Sequence, residues 1–225
     1  MTTTAAPTAR TRVAELAAAR ITPWQDGYLQ DRSTAVAALA RLRRGAGRSA
    51  ADLPDLWTLV DTTPLHHKTD SAPLLGEQQL TRAEDALHAA LTLWALHQQS
   101  RSTRMHRPHT VQRPTGLGAA VRRLMPPDAI DEPVRKRLIR AGTAADLGAL
   151  SQRLRDLIVL LRRADIPLDY GLLAGQLYTW QWPGGADTVR REWGRSFHAG
   201  AQPATHDADA SAASTASDDS DKDPS

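Results

Sequence analysis

The stretch TAADLGALSQRLRDLIVLLRRAD, residues 143–165, decides the fold. Leu147, Leu150, Leu154, Leu157 and Leu161 recur at steps of three and four residues, the spacing that lines side chains along one face of an α-helix. The same period continues on both sides. Upstream, DEPVRKRLIRAG (131–142) has acids just before its start, Pro133 near the first turn and Gly142 as its stop. Before it, TGLGAAVRRLM (115–125) places Leu117, Val121 and Leu124 on one face until Pro126 and Pro127 end it. Downstream, DYGLLAGQLYTWQW presents Leu173, Leu177 and Trp180, and DTVRREWGRSF presents Val189, Trp193 and Phe197.

The N-terminal half reads the same way. TRAEDALHAALTLWALHQQ (81–99) opens on a capping-box pattern, Thr81 to Glu84, and carries a stripe through Ala83, Leu87, Ala90 or Leu91, and Trp94; it is the expected central helix, ending at Gln98 to Ser100. In STAVAALARLRRG (33–45), Val36, Leu39 and Leu42 share a face, Ser33 is the expected cap and Gly45 the expected left-handed stop. A short helix is expected in DLPDLWTLVD (52–61), where Asp52 and Asp55 read as helix-start caps. Trp57, Trp94, Trp180 and Trp193 fall on apolar stripes and are expected in the core; Trp24 and Trp182, each beside a proline, are the two expected at the surface. No segment alternates with period two, so no strand is assigned. The expectation is an all-α, single-domain bundle of about seven to nine helices over residues 9–199, between a disordered segment at 1–8 and a disordered acidic tail at 200–225.

The tail holds six Asp and one Lys and almost nothing apolar beyond alanine. Without it the formal charge rises from +3 for the whole chain to +8, so the folded part is basic and a polyanion is its natural partner. There is no cysteine, which excludes disulfides and thiolate chemistry. No signal-peptide pattern or membrane-length apolar run occurs, and a cytoplasmic protein with no membrane partner is expected.

The histidines invite a catalytic or metal reading that their surroundings do not support. His97, His106 and His109 in HQQSRSTRMHRPH have no neighbouring acid for a general base or second shell, and H-E-x-x-H is absent. There is no G-x-S-x-G elbow and no P-loop, and GLGAAV lacks the preceding strand and third glycine of a dinucleotide site. No enzyme activity, metal or cofactor is expected. Charge segregation is the stronger signal. Between Asp85 and Asp128 lie 42 residues without an acid, holding Arg101, Arg104, Arg107, Arg113, Arg122 and Arg123; a second cluster holds Arg135, Lys136, Arg137 and Arg140. Phosphate contact explains such a surface better than base stacking, because aromatics are few.

Taken in order, ALARLRRG, LTLWALHQQS with MHRP, GLGAAVRRL, RKRLIRAGTAADLGALSQRLRDLIVLLR, and IPLDYGLLAGQLYTWQWP with VRREWGRSF resemble the CasB family, the small subunit of the type I-E CRISPR complex Cascade, over residues 12–198. The resemblance implies a non-catalytic helical subunit present in two copies, bound to the other Cascade subunits, guide RNA and target DNA, helping to stabilise the R-loop and its displaced strand. It places Arg44 and Arg140 at positions the family uses on nucleic acid, with Arg43 as companion, and Arg101, Arg104, His106 and Arg107 in the family's basic loop after the central helix. This chain has Ala119 and Thr143 where some relatives are basic; Arg122, Arg123, Arg135 and Lys136 are the neighbouring cations expected to stand in. The alternative is a free-standing helical DNA-binding regulator, which would need a helix-turn-helix with a base-reading helix. A histidine-site enzyme is a third.

Overall fold

In the computed structural model, which describes residues 8–68 and 73–199, the leucine-rich stretch folds as its period dictates. The described residues form nine α-helices: α1 (Ala9–Leu29), α2 (Ser33–Leu42), α3 (Trp57–Val60), α4 (Glu77–Gln98), α5 (Leu117–Arg122), α6 (Glu132–Gly142), α7 (Leu147–Arg163), α8 (Tyr170–Trp180) and α9 (Gly185–Ala199). Short 3-10 turns lie between α2 and α4, and one isolated parallel bridge, His106 to Leu168, is the β-type pairing found. The all-α expectation holds. No helix among the described residues is long and apolar enough to cross a membrane. The expected disordered segments at 1–7 and 200–225 lie outside the described residues; Thr8 belongs to the fold, its hydroxyl capping α1 by accepting from Thr11 N–H.

In α7, Leu150, Leu154, Leu157 and Leu161 are fully buried and Asp146 caps the start. They face α4, which is the centre of the molecule: every residue from Ala86 to Gln98 is buried, because α1, α7 and α8 surround it. A helix covered on all sides must be apolar or internally satisfied around its whole circumference. Thr92 meets that demand by donating its hydroxyl to the His88 carbonyl at 2.8 Å.

Several local expectations are corrected. No helix is read from the sequence at 9–29, where Pro23 interrupts and apolar periodicity is weak, yet α1 runs through it. Its buried face, Val13, Ala17 and Ile21, is narrow and is extended by polar Arg12 and Gln25. Helix α4 starts at Glu77, a turn before Thr81, because the Gln79 side chain accepts from the extended Gly76 N–H at 3.0 Å. Ser33 makes no cap; α2 begins after Arg32 without one. Gly45 is not left-handed but sits in a 3-10 turn (Arg43–Gly45) pressed on α4, where a Cβ would lie 2.7 Å from Thr92. Asp55 caps nothing and pairs with Arg44. Trp57 is 61% exposed, against the core expected of it, since the short α3 turns it outward. Trp94, Trp180 and Trp193 are buried as expected. Trp24 and Trp182 are half-buried, the latter under the Arg82 guanidinium at 3.8 Å.

The loop after α4 has no regular structure, so its backbone groups need partners from elsewhere. Buried side chains supply them. Gln98 donates to the carbonyls of Arg101 and Thr103 and accepts from Met105 N–H. Gln25 of α1 brackets His106, donating to its carbonyl at 3.1 Å and accepting its N–H at 2.8 Å. The His106 ring in turn accepts from Tyr170 N–H at the start of α8, and the Tyr170 hydroxyl lies 2.9 Å from His97 Nδ1.

Burial holds His97 neutral, its pKa lowered to about 3, and also lowers those of His88 and His106. A histidine whose folded pKa lies below its unfolded value favours the folded state only while neutral, so stability is lost as pH falls below about 6.5. His97 alone is expected to remove about 2 kcal/mol between pH 8 and pH 5, measurable as a falling Tm. Separately, α5 packs backbone to backbone on α9: a Cβ on Gly118 would fall on the Trp193 carbonyl oxygen. Gly118→Ala is expected to cost about 1–3 kcal/mol in urea unfolding.

Candidate nucleic-acid interface

The pinned loop lines one side of a groove of about 890 Å³ between α1, α5 and the start of α8. Four guanidinium-bearing residues, Arg104, Arg107, Arg113 and Arg123, line it, and no carboxylate does among the described residues. Arg107 and Arg113 form no ion pair among the described residues. Arg113 is aimed by a tight turn in which its N–H donates to Thr110 Oγ1 and its carbonyl accepts from Thr110 N–H. Arg123 leaves α5 on the groove side and donates to the Pro167 carbonyl at 3.3 Å. Its pKa is lowered, first by burial and then by the charge of Arg107, so two like charges share the space. Such repulsion is relieved when an anion bridges the two. Arg104 is tethered at the rim, 2.5 Å from Asp26.

The other candidates divide into three groups. Arg43, Arg44 and Arg140 are exposed near the opposite end of α7, whose adjacent residues Gln152 and Arg153 donate to the Gly47 and Arg140 carbonyls respectively. Arg44 is 62% exposed at its side chain despite its 3.2 Å contact with Asp55. Lys136 is exposed without a partner among the described residues, while Arg135 is folded back on Glu132 in the same helix. Arg101 stands aside from the groove lining, 3.7 Å from Asp165.

Two candidates are corrected. Arg122 is 6% exposed, and its guanidinium donates to the carbonyls of Pro126 and Pro127, closing the turn after α5. Arg123 is the very next residue, and a 100° step around the helix is enough to send one inward and the other to the groove. His106 is 4% exposed and neutral, so it acts on the loop's backbone and carries no charge to a phosphate. Ala119 and Arg123 both line the groove. Thr143 ends α6.

Arg113 was within the acid-free run but nothing in its local sequence distinguishes it; the Thr110 turn does. Arg153, which caps α6, carries no pattern signal at all. No three His, Asp or Glu side chains gather as a potential metal site among the described residues.

Comparison with known proteins places this geometry in a family. Residues 38–198 match the family model for the CRISPR-associated protein Cse2. The chain is similar to the crystal structure of CasB from Thermobifida fusca, with 49% identity over 83% of this chain and 97% of that one and a TM-score of 0.70. It shares the fold of a chain from a CRISPR RNA-guided surveillance complex, at 18% identity and a TM-score of 0.52, over 83% of this chain and 95% of that one. No curated protein matched. The chain belongs to the Cse2 family of CRISPR-associated proteins.

Proposed function

We propose that this protein is the non-catalytic small subunit of a Cascade-type surveillance complex, and that its arginine groove holds the phosphate backbone of nucleic acid during target capture. The observation that carries the reading is the groove that Arg107, Arg113 and Arg123 line without carboxylate partners among the described residues. Guanidinium groups bind phosphate oxygens bidentately and independently of base identity. Sequence in such a complex is read by pairing with the guide RNA, so a subunit that grips backbone alone suffices. Strand exchange between DNA duplex and RNA–DNA heteroduplex is nearly balanced, and a few added phosphate contacts on target or displaced strand shift it. Arg43, Arg44 and Arg140, exposed at the far end of α7, form a second contact point roughly 15–20 Å along the same helix. The remaining Cascade subunits, guide RNA, target DNA and a second copy of this chain are the proposed partners.

The test is fluorescence anisotropy of labelled single-stranded DNA across a salt series. Replacing Arg107, Arg113 and Arg123 together with alanine is expected to weaken binding at low salt and to reduce the slope of log K against log salt by about 2, since each phosphate contact on single strands contributes about 0.7. Arg122→Ala is expected to leave that slope unchanged and to lower Tm. Arg44→Ala with Arg140→Ala is expected to reduce R-loop yield in the assembled complex while helical circular dichroism is retained. A triple variant with wild-type affinity and slope would overturn the groove assignment.

A further inference from the structure

On the other half of α4 lies a cavity of opposite character. It has a volume of about 400 Å³ and is formed by α3, the 3-10 turn Ala50–Asp52 and one face of α4. Trp57 walls it with a largely exposed indole, and Val60 lies on its apolar side. Glu84, Asp85 and His88 supply its polar side. Glu84 uses Oε1 to accept from Thr62 at 3.1 Å and from His66 at 2.9 Å, which leaves Oε2 without a partner among the described residues. Asp85 is half-buried and has no hydrogen bond or ion pair among the described residues. Its carboxyl pKa is raised, first by burial and then by the charge of Glu84, a condition that a bound cation would reverse. His88 is 3% exposed, and its Nε2 has no hydrogen-bond partner among the described residues. A buried, unpartnered imidazole nitrogen is a rare and costly feature in a folded chain.

We propose that this pocket receives an arginine side chain projecting from a protein partner in the assembled complex. An exposed indole face and a planar guanidinium stack favourably, and the guanidinium has five donors to share among Asp85, Glu84 Oε2 and His88 Nε2. The chain already uses the same stacking internally, where Arg82 lies over Trp182. Two adjacent carboxylates exclude nucleic-acid phosphate from this pocket. Arg48 lines an adjoining recess with Asp85 and His88; its backbone faces the His88 ring, and its guanidinium makes no ion pair with Asp85 among the described residues. The pocket lies about 20 Å from the basic groove, as the rise from Glu84 to Gln98 along α4 sets it. Protein docks at one end of the central helix and nucleic acid at the other. This inference rests on the Cascade-subunit reading.

The test uses the full chain co-expressed with the remaining Cascade subunits and a guide RNA. Trp57→Ala and Asp85→Arg are expected to lower the share of this subunit retained in purified complex at least tenfold, while single-stranded DNA binding by the isolated variants stays within twofold of wild type. Arg48→Ala is expected to enter the complex normally. A photo-crosslinking residue at position 57 is expected to capture another subunit at an arginine-bearing segment. Crosslinks to nucleic acid, to a second copy of this chain or to Arg48 of the same chain would each overturn the proposal. Wild-type chain that fails to enter the complex overturns the subunit reading and this inference with it. Wild-type chain that enters alongside equally well retained Trp57→Ala and Asp85→Arg variants overturns the pocket alone.

Discussion

The loop after α4 can point arginines at solvent because two buried glutamines satisfy its backbone from within. Gln98 closes the turn that follows its own helix, and Gln25 reaches across from α1 to hold both the N–H and the carbonyl of His106. Unpaired backbone groups at that depth would each cost on the order of 1–3 kcal/mol, so the loop keeps this path only while the amides stay in place. Trp94 adds a weaker bond at 3.4 Å to the same Gln25 oxygen, tying the bracket to the core. The groove is therefore an extension of the core's polar network, and Gln25 belongs to both, bracketing His106 while lining the groove.

The same constraint explains the placement of the histidines. An imidazole accepting at Nδ1, as His106 does from Tyr170, must stay neutral or lose its bond. Asp169 caps α8 through Leu172 N–H and also accepts from His109 N–H, so the start of α8 and the far end of the loop are fastened by one carboxylate. The His109 ring accepts from Thr115 N–H, while the Thr115 hydroxyl donates to the Arg107 carbonyl. Histidine in this segment is a backbone partner for irregular chain. The arginines supply the charge.

The long amphipathic helices were legible because their period is set by burial on one side. The leucines of α7 and the stripe of α9 show this directly, and Asp131 and Pro133 marked the start of α6 correctly. Elements buried by other means were not. Helix α1 buries Arg12, whose guanidinium donates to the carbonyls of Pro64, His67 and Pro73, so a charged residue occupies what a pattern reading treats as an outer position. Helix α4 is buried all round from Ala86 onward and starts from a glycine whose partner is a glutamine side chain, which the Ser and Thr cap pattern does not include. Trp57 was misplaced because a four-residue helix is too short for its period to assign an inner face.

For the candidate site, the acid-free run covers the stretch of chain that supplies the arginines of the groove, since a missing charge type is a property of the whole surface and needs no register. Individual roles required geometry. Arg122 and Arg123 are chemically identical neighbours, yet one closes a proline turn inside the molecule and the other shares a groove with Arg107. The separation between them is a helical step, and the side that faces solvent is chosen by α9, which covers α5 from a position some 75 residues later in the chain. Close packing at Gly118 brings the two helices near enough for that choice to be unambiguous. The charge of the interface is thus local to its sequence, while its direction is imposed by a distant helix.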